Sequence, residues 1–165
     1  MNLKLVTLAL KMWSPDSECA PWKHYRAGSS SFTNSGMVSP HFRASAYEIG
    51  NAKLLACPTD SRRGTTNWPS LNDSNISYFI NFDGVETRPT QVAFGDRLFT
   101  STIAPTNNLI ILSTNATYNW GKRIHNGHGV LSLTDGSVRM MVSDQDLLRV
   151  FHDRENVGSR IQLPR

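Results

Sequence analysis

The chain has no run of about 20 apolar residues, so no segment of it reads as a membrane-spanning helix. It lacks any block of five like charges. Its 17 basic and 13 acidic side chains leave only +4, spread along the chain, and a nucleic-acid footprint would be a clustered basic stripe. No nucleic-acid partner is expected. There is no Cys-x-x-Cys pair, which removes the common zinc and dithiol signatures. Gly-x-Ser-x-Gly is absent, as is a glycine-rich phosphate loop ending in Lys-Ser/Thr. No twelve-residue loop of alternating acidic ligands occurs, and no internal repeat. The start, Met1 to Trp13, is apolar-rich. It has neither a basic region before the apolar stretch nor a small-residue cleavage site after it, so it does not read as a secretory signal.

What is present is an ordinary globular composition. With 165 residues, 39% of them hydrophobic, the chain suffices for one domain with a real core and is short for two. Cys19 and Cys57 are compatible with one disulfide or with two reduced thiols. A bridge closing that loop would contribute about 3–4 kcal/mol.

Residues 2 to about 14 read as a helix. Leu3, Val6, Leu10 and Trp13 share one face, and Leu5, Leu8, Ala9 and Met12 fill the next. So broad an apolar surface predicts a largely buried helix. Ser14-Pro15-Asp16 stops it, because Pro disfavours helical geometry in the residue before it. It starts without a capping residue, as a longer helix cut short would. The Gly/Ser/Thr/Asn-rich stretch 26–40 reads as a loop. A short helix is expected over Phe42–Ile49, ended by Gly50. Leu54–Cys57, closed by Pro58, reads as a buried strand or its entry.

Strand signals then dominate. They cover Ile76–Phe82 before the Asp83-Gly84 turn, then Gln91–Phe99 and Leu109–Ser113. The clearest hairpin joins Val130–Thr134 to Ser137–Val142 through Asp135-Gly136, a two-residue turn whose positions both favour positive φ. Ser143 is placed to cap a final helix with Asp146 at its third position and Leu147, Leu148, Val150 and Phe151 as its apolar face. Ile161–Arg165 reads as an extended edge. The order predicts an α+β fold, an N-terminal helix with a mostly antiparallel sheet and a short closing helix.

His125 and Asp135 invite a catalytic or metal reading. The intervening strand rises about 3.3 Å per residue and should hold them apart. Asp135 and Gly136 are then expected to supply the turn, and His125 a hydrogen bond that pins the incoming loop. His125 and His128 form a His-x-x-His pair, but Gly127 and Gly129 oppose a helix, and no neighbouring carboxylate or cysteine completes a ligand set. Asp60, Asp73 and Asp83, in loops, are candidates for a calcium site. Otherwise neither a catalytic site, a metal nor a cofactor is expected. Cys57 before Pro58 reads as a buried structural thiol.

Several segments together resemble one family. Asn2–Trp13 with Asp16 and Pro21-Trp22 resembles the stretch that follows the transmembrane part of bacterial prepilin-like proteins. Leu54-Leu-Ala-Cys-Pro-Thr-Asp60 is similar to their Cys-Pro-x-Asp segment, here Cys57, Pro58 and Asp60. Ser77-Tyr-Phe and Gly95-Asp-Arg97 resemble mid-chain segments of the same group. His125 followed by nine residues and then Asp135-Gly136 matches the prepilin-type processing-associated His-x(9)-Asp-Gly pattern, abundant in Planctomycetes and Verrucomicrobia. The similarity runs from residue 2 to about 155.

The resemblance implies a type IV pilin-like fold and a non-enzymatic, structural role in a type II secretion pseudopilus or pilus-like filament. It further implies pilin-like subunits and secretion-apparatus proteins as partners, and an envelope location with the sheet domain periplasmic or extracellular. Family members carry a leader and an apolar anchoring helix where Met1 stands here. Without that helix, the chain is expected to be soluble and monomeric. The alternative expectation is a secreted or surface binding module that contacts a polysaccharide or envelope component through exposed aromatics; of Trp13, Trp22, Trp68 and Trp120, three lie near loops or element ends, with core packing the default for each.

Overall fold

The computed structural model describes residues 2–13, 36–123 and 125–165. Cys19, Trp22, the Ser14-Pro15 stop and most of the Ser-rich stretch lie outside the described residues. Helix α1 spans Asn2–Trp13. Leu3, Val6, Ala9 and Leu10 are buried, whereas Leu5, Leu8 and Met12 are 51%, 47% and 71% exposed. The expectation of a largely buried helix is therefore corrected: one apolar stripe is covered and a second is not. No helix among the described residues is long and apolar enough to cross a membrane.

The expected helix over 42–49 is two short ones, α2 (Ser39–Ala44) and α3 (Ala46–Ile49), which break at Ser45; Gly50 ends the second at φ +70°. The Leu54–Cys57 run is not a strand. Asn51 accepts the Lys53 N–H and nucleates a 3-10 turn over Ala52–Leu55, from which Ala56 leaves extended.

Eight strands follow: β1 Tyr78–Asn81, β2 Val92–Asp96, β3 Phe99–Ser101, β4 Leu109–Ile111, β5 Tyr118–Trp120, β6 Gly129–Leu133, β7 Val138–Met141 and, after helix α4 (Asp144–Phe151), β8 Arg160–Gln162. Six form one antiparallel sheet in the order β4-β8-β1-β2-β6-β7, and β3 pairs with β5 as a separate ribbon. The fold is thus α+β with an antiparallel sheet. The Gln91–Phe99 run divides between the two sheets at Arg97-Leu98, where the Leu98 carbonyl accepts the Gly121 N–H at 2.7 Å. The tail is not an edge: β8 sits between β4 and β1, with Ile161 fully buried.

Period-two alternation sends the sheet's side chains into two cores. Tyr78, Ile80 and Val130 join α1, α2 and α3 on one face; Phe79, Leu131, Leu133 and Ile161 join α4 and the ribbon on the other. A register shift between Val92 and Phe94 puts Ala93 and Phe94 both on the α1 side, as an inserted bulge residue does. Asp96 comes off the end of β2 toward that side.

Helix α1 lies along β6. Asn2 donates to the Ala56 carbonyl at one end, Thr7 Oγ1 meets Ser132 Oγ at 2.8 Å midway, and Lys11 Nζ reaches the Thr134 carbonyl at 3.3 Å. The hairpin closes as expected but through three residues, Thr134-Asp135-Gly136. Gly136 alone has positive φ (+88°), and the Leu133 N–H reaches the Ser137 carbonyl. That is a turn followed by a glycine bulge, not the two-residue form. Ser143 caps α4 by accepting the Asp146 N–H at 3.2 Å. Ser143→Ala should lower the unfolding free energy by about 1 kcal/mol, measurable as a shifted urea midpoint with unchanged slope.

Candidate functional site

At the start of α1 the structure brings together residues far apart in sequence. Cys57 is held where the 3-10 turn exits, its N–H donating to Ser77 Oγ at 2.9 Å. His125 is delivered by the loop before β6. It sits at φ +51°, followed by Asn126 at +54° and Gly127 at +86°, and its carbonyl accepts the His128 N–H. A histidine held in the left-handed region is uncommon. Its ring lies against the Cys57 segment: Nε2 is 3.4 Å from Cys57 Sγ, and Thr59 Oγ1 is 3.3 Å from Nδ1 and 3.4 Å from Nε2. Asp96 completes the group, with Oδ2 3.6 Å from His125 Nε2 and accepting the Val130 N–H at 2.8 Å.

Cys57 is a buried free thiol and Asp96 is 1% exposed. They share with His125 a cavity of about 240 Å³ lined also by Asn2, Thr59 and Tyr78. Burial pushes the Asp96 carboxyl up to about 7, against the Val130 N–H and with the Asp60 charge adding to the rise. Burial, with His128 nearby, lowers the pKa of His125. Burial thus works against a charged pair across the 3.6 Å Asp96–His125 contact, disfavouring the carboxylate and the imidazolium alike. The Tyr78 phenol is raised by the same burial.

Next to the cavity, Asp60 receives two hydrogen bonds from Arg97, both 2.9 Å. Burial raises the Asp60 pKa, but the Arg97 and Ser77 hydrogen bonds outweigh it and the net shift is downward. Arg97 in turn donates its N–H to the Ser77 carbonyl. So Cys57, Pro58 and Asp60, the Ser77–Phe79 stretch, Gly95–Arg97 and His125 meet in one place. Asp135 and Gly136 do not. Asp135 Oδ1 accepts the Ser137 N–H at the hairpin tip, beside Lys11. The two ends of the His-x(9)-Asp-Gly pattern thus flank opposite ends of the α1–β6 contact, about 14 Å of helix against about 17 Å of strand.

The three aspartates considered for calcium serve separate purposes. Asp60 holds Arg97, Asp83 holds Arg160, and Asp73 accepts the N–H groups of Val38, Ser39 and Arg165. Among the described residues, the one trio of metal-ligating side chains is Cys57, Asp96 and His125. The expectation that no carboxylate or cysteine accompanies His125 held only along the sequence; folding supplies both. Asp96 carried no signal of its own beyond its place in Gly95-Asp-Arg97.

A Cys-His-Asp set could also serve nucleophilic catalysis. That mechanism needs the base between the nucleophile and its orienting acid, one ring nitrogen toward each. Here Sγ and the Asp96 carboxylate both approach Nε2, and Thr59 Oγ1 lies beside both ring nitrogens. The arrangement converges on one point and is not a relay. No family model matches the chain, and neither a curated protein nor a solved structure matches it.

Proposed function

We propose that this chain is the sheet domain and adjoining helix of a non-enzymatic, pilin-like subunit of a type II secretion pseudopilus or related envelope filament. The observation that carries the reading is the second apolar stripe of α1. Leu5, Leu8 and Met12 follow a helical i, i+3, i+7 spacing and remain exposed while the opposite stripe is buried on the sheet. A helix built this way has one face for its own domain and one for the helices of neighbouring copies. The meeting of the Cys57–Asp60, Ser77–Phe79, Gly95–Arg97 and His125 segments lends further support, because the resemblance rests on those segments. In this reading the partners are other pilin-like subunits and secretion-apparatus proteins, and the location is the cell envelope with the sheet domain outside the inner membrane. The polysaccharide-binding alternative has less behind it: Trp120 is buried and Trp68 packs against the α1-side core, and Tyr47 is the one largely exposed aromatic among the side chains whose burial the structure describes.

The test uses cells that make the gene's complete reading frame. A photo-crosslinking residue replaces Leu8, and in a parallel strain Thr100, which is exposed on the ribbon at the opposite face. Position 8 should give a ladder of adducts between copies of this chain in the sheared envelope fraction, and position 100 should give far fewer. A chain with no self-adducts from position 8 is not assembled through this helix, and the filament reading fails.

A further inference from the structure

We propose that Cys57, Asp96 and His125 bind one zinc ion, through Sγ, a carboxylate oxygen and Nε2, with the fourth position open to the cavity. This goes beyond the filament reading and does not depend on it. The argument is geometric. Zinc takes sulfur at about 2.3 Å and nitrogen or oxygen at about 2.0–2.1 Å in a tetrahedron, so two ligand atoms on one ion are about 3.6 Å apart for S and N and about 3.4 Å for N and O. The structure has Sγ and Nε2 at 3.4 Å and Nε2 and Oδ2 at 3.6 Å. The remaining edge, sulfur to carboxylate, is within 4.8 Å. Reaching a tetrahedral spacing there needs a closure of at most about 1.3 Å, within reach of a rotation about either side chain.

The surroundings suit that ion. Thr59 Oγ1 lies 3.3 Å from Nδ1 and 3.4 Å from Nε2 of His125, and 3.1 Å from Cys57 Sγ, a hydroxyl able to accept the Nδ1 N–H once Nε2 is turned to a metal. The Val130 N–H holds the Asp96 carboxylate in place by donating to Oδ2, the oxygen nearest His125 Nε2. A thiolate, a carboxylate and a neutral imidazole carry two negative charges, and a divalent ion makes the group neutral in a place where an unbalanced charge would be costly. Thiolate and imidazole select zinc over calcium or magnesium, which take oxygen. The ion would tie the Cys57 segment, the end of β2 and the His125 loop together beneath the start of α1.

The experiment is a titration of the reduced, metal-free chain with zinc chloride by calorimetry. Cobalt(II) chloride serves as the spectroscopic probe. One equivalent of zinc should bind and raise the melting temperature, since the ion engages the folded state alone. Cobalt should give a thiolate charge-transfer band with tetrahedral visible bands. Asp96→Asn keeps an acceptor for the Val130 N–H, and it and Cys57→Ser should each weaken zinc by at least about 100-fold, more than loss of an outer-shell partner would. Cys19→Ser should leave the cobalt spectrum intact. Absence of zinc binding by the folded parent chain overturns the proposal. So does a thiolate band that survives Cys57→Ser or disappears with Cys19→Ser. If a variant melts before assay, the parent's zinc-dependent melting shift and the Cys19→Ser spectrum still decide.

Discussion

Replacing Gly95 by alanine should cost about 3 kcal/mol of folding free energy, at the upper end of what overpacking a core does. Gly95 lies on the central strand β2, facing the α4-side core. A Cβ there would stand 2.4 Å from Leu131 Cδ2 and 2.6 Å from the Phe79 ring. The leucine can turn away. Phe79 has less freedom, because Phe99 and Phe151 pack edge-on against it at 5.5 and 6.4 Å, and Phe99 and Phe151 meet each other at 5.2 Å. The added methyl must therefore push a whole aromatic cluster or bend β2 away from β6. A domain of this size is stable by roughly 5–15 kcal/mol, so the variant loses a large share. Denaturant unfolding measures the loss. Gly158→Ala is the control: its φ is +84° with open space around it, so its cost is backbone strain alone, about 1 kcal/mol. Phe79→Leu should recover part of the Gly95→Ala loss, since residues in contact are not additive. A Gly95→Ala loss no larger than the Gly158→Ala loss would mean that the aromatic cluster yields freely, contrary to its packing.

What the sequence revealed and what it hid divide along one physical line. Helix α1, the β6–β7 hairpin and the Ser143 cap were legible because each is specified by residues within a few positions of one another: Leu3, Val6 and Leu10 by their helical offsets, Gly136 by its φ, Ser143 by its reach to the Asp146 N–H. Strand order is not local. Nothing near Ile161 indicates that β8 inserts between β4 and β1, nor that Tyr118–Trp120, three residues long, pairs with β3. One local signal went unread: Asn107 and Asn108, at φ +52° and +59°, turn the chain tightly from Thr106 to Leu109, a conformation asparagine tolerates better than most residues. The candidate site was half legible. Cys57 and His125 stood out by motif, but they are 68 positions apart and only the folded sheet joins them to Asp96. The second apolar stripe of α1 was visible as apolar residues; that it stays uncovered depends on the sheet taking the opposite stripe, Leu3, Val6 and Leu10.

Asp73→Ala should be the most damaging single change among the loop carboxylates, lowering stability by about 4 kcal/mol. Helix α2 has no side-chain cap of its own, because Val38 stands at its N-cap position. Asp73 supplies one from 34 residues away. Oδ1 accepts the N–H groups of Val38 at 3.2 Å and Ser39 at 2.9 Å, and Oδ2 accepts the Arg165 N–H at 3.1 Å. The carboxylate is 5% exposed, and Val38 and Ser39 are more deeply buried still. Removing it strands three backbone donors, each costing about 1–3 kcal/mol when buried unpaired, with some relief from water at the Arg165 end. Arg62 also bridges this junction, donating to the carbonyls of Ile76 at 2.6 Å and Arg165 at 2.7 Å, so a loosened tail would disturb it as well. Asp73→Asn separates the contributions. Its oxygen can still serve Val38 and Ser39, but its NH2 group would face the Arg165 N–H, donor against donor. A loss of about 2 kcal/mol is expected, roughly half that of alanine. Deleting Arg165 should shrink the asparagine penalty and leave most of the alanine penalty in place. Urea unfolding of the two substitutions, the Arg165 deletion, the deletion combined with each substitution, and the parent checks both steps. Equal penalties for asparagine and alanine would show that Asp73 acts through its charge and not through the three N–H groups it holds.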